Sequence, residues 1–254
     1  MKKKLYFIMS MLLVFSLLLV GCGGKTTLKM ATGGTTGTYY AYSGAVSQVL
    51  SQKIENLSFD VQSTGASKAN IYLVSDKEAD IAIVQNDVMY YAHNGTDLFA
   101  GEKISGFSAM AGVYAEVCQI VAKSDITSIE DLKGKRVSVG DIGSGVEFNA
   151  RQILDAYDIT FDDIIVNNLS FGDSATALKD DKIDAFFCVA GAPTTAVVEL
   201  ATTNQINLLE IDDAHAAKLI EKYPFYTKFN VSGGTYKGVA SDTQTVAVVA
   251  TYIV

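Results

Sequence analysis

Apolar, strand-like runs in this sequence repeatedly end in a loop of glycine and hydroxyl residues that opens straight into a helical pattern. The fullest example is Ala31-Thr32-Gly33-Gly34-Thr35-Thr36-Gly37-Thr38-Tyr39-Tyr40, which holds three glycines and four threonines. Leu28 to Ala31 leads in, and Tyr42, Ala45, Val46, Val49 and Leu50 follow at helical spacing. Glycine lets backbone approach a ligand closely, N–H groups at a helix start attract an anion or carbonyl oxygen, and threonine hydroxyls add donors. Taken alone, the stretch reads equally well as an ordinary strand-to-helix turn with a threonine cap.

The pattern recurs. A strand over Ser58–Gln62 runs into Ser63-Thr64-Gly65-Ala66-Ser67-Lys68-Ala69-Asn70 and a helix at Ile71, Leu73 and Val74. Asp80 to Val84 ends at Gln85-Asn86-Asp87, and Val137 to Val139 ends at the loop Gly140 to Gly145, before a helix with Ala150, Ile153, Leu154 and Tyr157 on one face. Ile164 to Asn168 leads to Phe171-Gly172-Asp173-Ser174, and Ile183 to Val189 to Ala190-Gly191-Ala192-Pro193-Thr194. Such an order predicts an α/β fold, and in open α/β sheets ligands bind outside the carboxyl ends of the strands, where these loops fall.

Two features divide the chain. Phe107–Tyr114 and Val117–Lys123 form nearly one extended segment, long enough to pass between lobes, and Lys77-Glu78-Ala79-Asp80-Ile81-Ala82 is echoed by Asp181-Lys182-Ile183-Asp184-Ala185-Phe186. We expect lobe I over 28–114, lobe II over 115–225 and a return to lobe I over 226–254. Within these, Ser128–Leu132 predicts a short capped helix, Ile206–Ile211 a strand, Ala214–Tyr223 a helix, and the segment after it a polar link. Thr251-Tyr252-Ile253-Val254 has no polar exit, so the chain is expected to continue beyond Val254.

The front end is separate. Lys2 to Lys4 precede an apolar run from Leu5 to Val20, the pattern of a secretory leader that is short for a membrane span. Leu19-Val20-Gly21-Cys22 resembles the bacterial lipobox, which makes residues 1–21 a signal peptide, Cys22 a lipidation site and 22–27 a tether. Acylation at Cys22 anchors a chain to a membrane without spanning it.

Several functions are excluded by composition and spacing. Without the leader lysines, 20 basic residues become 17 against 28 acids, a net charge of −11 with no basic aromatic patch, so nucleic acid is not an expected partner. Neither glycine loop has the Lys-Ser/Thr pair of a phosphate loop, and no dinucleotide fingerprint or Gly-X-Ser-X-Gly elbow occurs. His93 and His215 read as helix residues, away from any metal-ligand spacing, so no metal or cofactor is expected. Cys118 and Cys188 lie in apolar runs, as a pair or as two buried thiols.

An exported α/β chain with polar loops on two lobes suits a hinged binding protein, with a lipid-anchored extracytoplasmic enzyme or sensor lipoprotein of the same fold as the competing reading. The loops already quoted, with Tyr114-Ala115-Glu116, Asp131 to Gly140 and Gly143-Ser144-Gly145, together resemble the TAXI family of TRAP-transporter solute receptors. That resemblance implies a type II periplasmic-binding-protein fold with a hinge, no enzymatic activity, and capture of a small carboxylate or amino acid such as glutamate for an ion-driven TRAP membrane permease. By position it implies ligand contacts from Gly34, Thr35, Thr36, Thr38, Tyr39, Thr64, Gly65, Ser67, Asn70, Gln85 and Asn86 on one lobe. Ser144, Gly145, Glu147, Gly191, Ala192 and Pro193 face them from the other, with Tyr114 and Glu116 near the hinge. Ala66 stands where relatives commonly have a second glycine. Neither Arg136, before a strand, nor Arg151, in a helix, is placed as a carboxylate clamp.

Overall fold

Strands and helices alternate as the loop chemistry predicts. The computed structural model describes residues 24–254, so Cys22 and the leader lie outside the described residues. Strand β1 (Thr26–Ala31) feeds helix α1 (Thr38–Lys53), β2 (Leu57–Gln62) feeds α2 (Ser67–Ser75), and β3 (Ile81–Gln85) feeds α3 (Asn86–Asn94). After the long strand β4 (Ala109–Lys123), the sequence repeats: β5 (Arg136–Ser138) and α4 (Gly145–Ala156), β6 (Ile165–Asn167) and α5 (Phe171–Lys179), β7 (Ala185–Ala190) and α6 (Thr195–Thr203). Then come β8 (Ile206–Leu208), α7 (Asp213–Lys222), β9 (Thr227–Val231) and β10 (Thr243–Ile253).

The sheet order is β2-β1-β3-β10-β4-β7-β5-β6. Each half places its first strand between its second and third, all parallel, and then accepts an antiparallel strand beside the third. β4 and β10 supply those antiparallel strands and pair with each other in the middle. Val117–Ala122 of β4 pairs with β7, while Ala250–Ile253 of β10 pairs with β3, so these two strands are the crossovers of a two-lobed fold. Apolar clusters on either side keep separate memberships, one around Ile71, Val84 and Val88, another around Ile120, Ile153 and Phe187.

The echoed sequences form matching corners. Lys77 and Asp181 both take left-handed backbone, at φ 60° and 59°. Asp80 Oδ2 then accepts from Lys29 N at 2.7 Å, and Asp184 Oδ2 from Arg136 N at 2.9 Å, each acid tying the third strand of its lobe to the first. In lobe II the corner is reinforced: Arg136 Nη2 reaches Asp184 Oδ1 at 2.7 Å, and Lys123 pairs with Asp184 and Asp181. Arg136 is therefore structural. Arg151 lies 3.8 Å from the Phe161 ring and pairs with Glu147 at 3.7 Å on its own helix.

Three local expectations change. α1 forms, but Val49 is 49% exposed and Ala45 is also outward, while Tyr39 and Ser43 are buried. Tyr39, Tyr42 and Ser43 set the helix's rotation, because Tyr42 packs edge-on to Tyr114 and Ser43 Oγ bonds the Tyr252 hydroxyl at 3.0 Å. Ser128–Leu132 makes only a 3₁₀ turn, with Asp131 accepting from the Thr127 and Ser128 amides. The expected polar link contains β9, which pairs with Thr243–Ala247, while Tyr236 packs among lobe II residues, so contact with lobe I is made at the end of β10. Cys118 and Cys188 are buried free thiols.

Candidate functional site

Loops at the carboxyl ends of the strands in both halves meet across a cleft holding about 580 Å³ of empty space, part of it continuous with solvent. Gly33, Gly34, Thr36, Gly37, Thr38, Tyr39, Ala66, Ser67, Gln85 and Glu116 form one wall. Gly140, Asp141, Ser144, Gly145, Val146, Ser170, Phe171, Val189 and Ala190 form the other. The first turns of α1, α2, α4 and α5 all border this space. Each presents backbone N–H groups and the positive end of a helix dipole.

The lobes touch in several places. Thr38 Oγ1 donates to Gly191 O at 3.1 Å, and Gly37 packs against the Phe171 ring. Gly145 is required by close approach: a Cβ there would stand 1.8 Å from Gln85 Oε1 of the opposite lobe. Behind the cleft runs a buried polar chain. Gln85 Nε2 donates to Asn149 Oδ1 at 3.0 Å, and the Asn149 amide donates to Asp87 Oδ2 at 3.1 Å and to the Tyr226 hydroxyl at 2.7 Å. The Tyr226 hydroxyl donates to Gln152 Oε1 at 2.7 Å, and Gln152 Nε2 donates to the Tyr91 hydroxyl at 3.0 Å. Burial pushes the Asp87 carboxyl up to about 6, against the opposing pull of the Asn149 amide.

Of the residues singled out in the sequence, Gly34, Thr36, Thr38, Tyr39, Ser67, Gln85, Glu116, Ser144 and Gly145 border the cleft. Others serve the walls from behind. Thr64 Oγ1 bonds Thr32 O at 2.8 Å and Asn70 Oδ1 at 2.6 Å, while Asn70 Nδ2 donates to Thr32 O and Ile83 O, stitching three strand ends together. That consumes the Asn70 amide and leaves it no group for a ligand. Asn86 Oδ1 accepts from Val249 N at 2.9 Å and pins the crossover strand. Glu147 Oε2 accepts from Gly143 N at 2.7 Å, returning on the Ser144 cap of its own helix. Gly191 O is taken by Thr38 and Thr194, Tyr114 packs beneath α1, and Thr35, Gly65, Ala192 and Pro193 lie outside the cleft lining.

Sequence reasoning did not name Asp141, Val146, Ser170 or Phe171 as contacts. Their signal was present, since each lies in a polar loop or helix start following a strand end. Ala66 has φ 64° and ψ −146°, a region that penalises any side chain, at the N-cap of α2 and in the cleft wall.

Glu116 is 1% exposed, and its Oε1 has no hydrogen-bond partner. Burial raises its carboxyl to about 8, although hydrogen bonds from Tyr39 and Gln85 favour the ionised form.

Two lobes joined by two crossover strands, with helix N-termini converging on the cleft between them, define the fold of periplasmic solute-binding proteins. The chain belongs to the NMT1-like family, whose profile it matches over residues 30–254. Its fold is similar to that of the alkanesulfonate-binding protein SsuA from Xanthomonas axonopodis pv. citri, solved with MOPS, at TM-score 0.53 and 16% identity, over 73% of this chain and 61% of that one. A Bordetella bronchiseptica RB50 structure superposes at TM-score 0.59 and 14% identity, covering 90% and 64% of the two chains. The ligand-binding component of an ABC-type import system from Staphylococcus aureus gives 0.53 and 9%, covering 90% and 66%. The chain thus spans about three fifths to two thirds of the length of these structures. No helix among the described residues is long and apolar enough to cross a membrane.

Proposed function

We propose that this protein is an extracytoplasmic solute receptor that captures a small carboxylate or amino acid, glutamate-like in size, between its lobes and delivers it to a TRAP-type membrane permease. The observation that carries the binding step is the convergence of four helix starts on one interlobe cleft. Helix starts are favourable partners for a carboxylate, and hydroxyls from Thr36 and Ser67 add donors beside them. Tyr39 offers an apolar ring to the ligand's carbon skeleton. Delivery to a TRAP permease rests on the TAXI resemblance of the loops, and attachment to the membrane rests on the lipobox at Cys22.

A thermal-shift screen of the full chain with amino acids, dicarboxylates and keto acids tests this reading. A ligand at about a hundred times its dissociation constant stabilises by about 2.7 kcal/mol. Absence of any shift, together with turnover of an ester or peptide substrate, contradicts it. Cys22→Ala is expected to move the protein from the membrane fraction to the soluble one in cells.

A further inference from the structure

Behind the cleft the two lobes meet along a seam of side chains, and one of them can change its charge. Helix α3 of lobe I supplies Asp87, Tyr90 and Tyr91, while α4 of lobe II supplies Asn149 and Gln152, and the segment after α7 supplies Phe225 and Tyr226. The Phe225 ring lies 4.9 Å from that of Tyr90 and 5.9 Å from that of Tyr91, an aromatic edge to the seam. Inside it, Asn149 is fully used: its Oδ1 accepts from Gln85, and its two N–H groups go to Asp87 and Tyr226.

Asp87 is not so well provided. It is 1% exposed, its Oδ2 receives one side-chain donor, from Asn149 across the seam at 3.1 Å, and its Oδ1 has no partner. The titratable groups that act on Asp87 or feel its charge are Tyr91 on its own helix, Asp97 on the turn that follows, Glu116 and Cys118 on β4, and Tyr226 beyond α7. None of these is a cation. Lys222, at the end of α7, acts on Asp97 and bonds Asp155 at 2.8 Å. Burial raises the Tyr91, Tyr226 and Cys118 groups, so they keep their protons, and the charge of the seam changes at Asp87.

A buried carboxylate with a single cross-lobe donor is poorly solvated, whereas the neutral acid tolerates the same enclosure. Parting the lobes breaks the Asn149 bond and gives Asp87 water in its place. Going beyond the question of which solute is bound, we propose that Asp87 is a proton-operated latch on lobe closure: neutral, it lets α3 and α4 stay together, and ionised, it loosens the seam. Asp87 lies behind the cleft wall and acts as a positioning residue for the two lobes.

The sign follows from enclosure. Burial raises the Asp87 carboxyl from 3.8 to about 6, outweighing the Asn149 amide and the backbone amides of Val88 and Asp87. Over that interval the closed form keeps a proton that the open form has lost. Its advantage is full below 3.8 and is lost as pH rises through 6, so the closed-to-open ratio increases about tenfold from pH 7 to pH 5. A solute between the lobes is then retained in acid and let go toward neutral pH.

The test is a pair of nitroxide labels on the full chain, one on each side of the seam at the exposed positions Thr96→Cys and Glu221→Cys. Their separation is read by double electron–electron resonance from pH 5 to pH 8. No solute is added, so the outcome is independent of whether the receptor reading holds. We expect a short and a long separation whose ratio rises about tenfold from pH 7 to pH 5. Asp87→Asn, a permanently neutral side chain that still accepts from Asn149, is expected to hold the short separation across the range. A single separation at every pH, a ratio that falls in acid, or the same pH response in Asp87→Asn overturns the proposal. If that variant does not fold, Glu116→Gln decides: the pH 5 to 7 response survives it if Asp87 is the latch and vanishes if Glu116 is the source.

Discussion

The two lobes share a strand order but finish their cleft-side helices differently. In lobe II, Ser144 and Ser170 cap α4 and α5, their hydroxyls accepting from the amides of Glu147 and Asp173. In lobe I the equivalent positions are Gly37 and Ala66, and neither provides a side-chain acceptor. Lobe II supplies one side-chain acceptor to each of its two cleft-side helix starts, while lobe I supplies none and leaves more donors for something else. The same contrast holds behind the cleft, where the Asp184 corner carries Arg136 and Lys123 and the Asp80 corner rests on its strand-tying hydrogen bonds. In this view lobe II is the self-sufficient wall and lobe I the receptive one.

The largest expected effect sets one corner against the other. Asp184→Ala should cost about 2–3 kcal/mol in urea unfolding, since it strips several charge-assisted bonds, and Asp80→Ala about 0.5–1 kcal/mol. Equal losses would break the comparison. The sign with pH is fixed as well. Arg136 holds the Asp184 carboxyl well below its ordinary 3.8, so the stability it contributes is present above that value and is lost as pH falls toward the lower, folded-state value.

Glu116 runs the other way. Its carboxyl is raised from 4.5 to about 8, so over that interval the folded chain keeps a proton that the unfolded chain has lost. Stability should decline as pH rises through this window, and Glu116→Gln should flatten the decline in pH-dependent melting.

The caps give a smaller effect. Ser170→Ala is expected to destabilise by about 1 kcal/mol and to leave solute affinity nearly unchanged. An affinity loss larger than the stability loss would move the binding donors into lobe II. Smaller still and opposite in sign, Ala66→Gly relieves a side chain held at φ 64° and should stabilise by about 1 kcal/mol or less. Destabilisation there would mean that the Ala66 methyl packs well enough to outweigh its backbone.

Much of this contrast was legible in the sequence, because turn chemistry is local. Gly33 to Thr38, Thr64 to Ser67 and Gly140 to Gly145 each mark a strand end and a helix start without reference to the rest of the chain. The Asp80 and Asp184 corners were visible as an echo, though not the bonds they make. Tertiary choices were hidden. The rotation of α1 depends on Tyr114 and Tyr252, far away in sequence, so the apolar positions Val49 and Ala45 suggested the wrong face. β9 turns Phe229 and Val231 inward between exposed Lys228 and Asn230, a period-two signal too short to stand out beside those polar residues. Thr64 and Asn70 have the same residue chemistry as a ligand contact, and only the positions of Thr32 O and Ile83 O show that they are occupied. Glu116 was marked through a family resemblance, but its burial and unpaired oxygen required the structure.

Amide resonances follow the receptive wall most directly. On titrating ¹⁵N-labelled protein with L-glutamate, we expect the largest amide shifts at Thr38, Tyr39 and Ser67, in the uncapped first turns of lobe I, and smaller ones at Val146 and Gly172 in the capped turns of lobe II. Shifts concentrated in the lobe II turns, or outside the cleft altogether, would contradict the account.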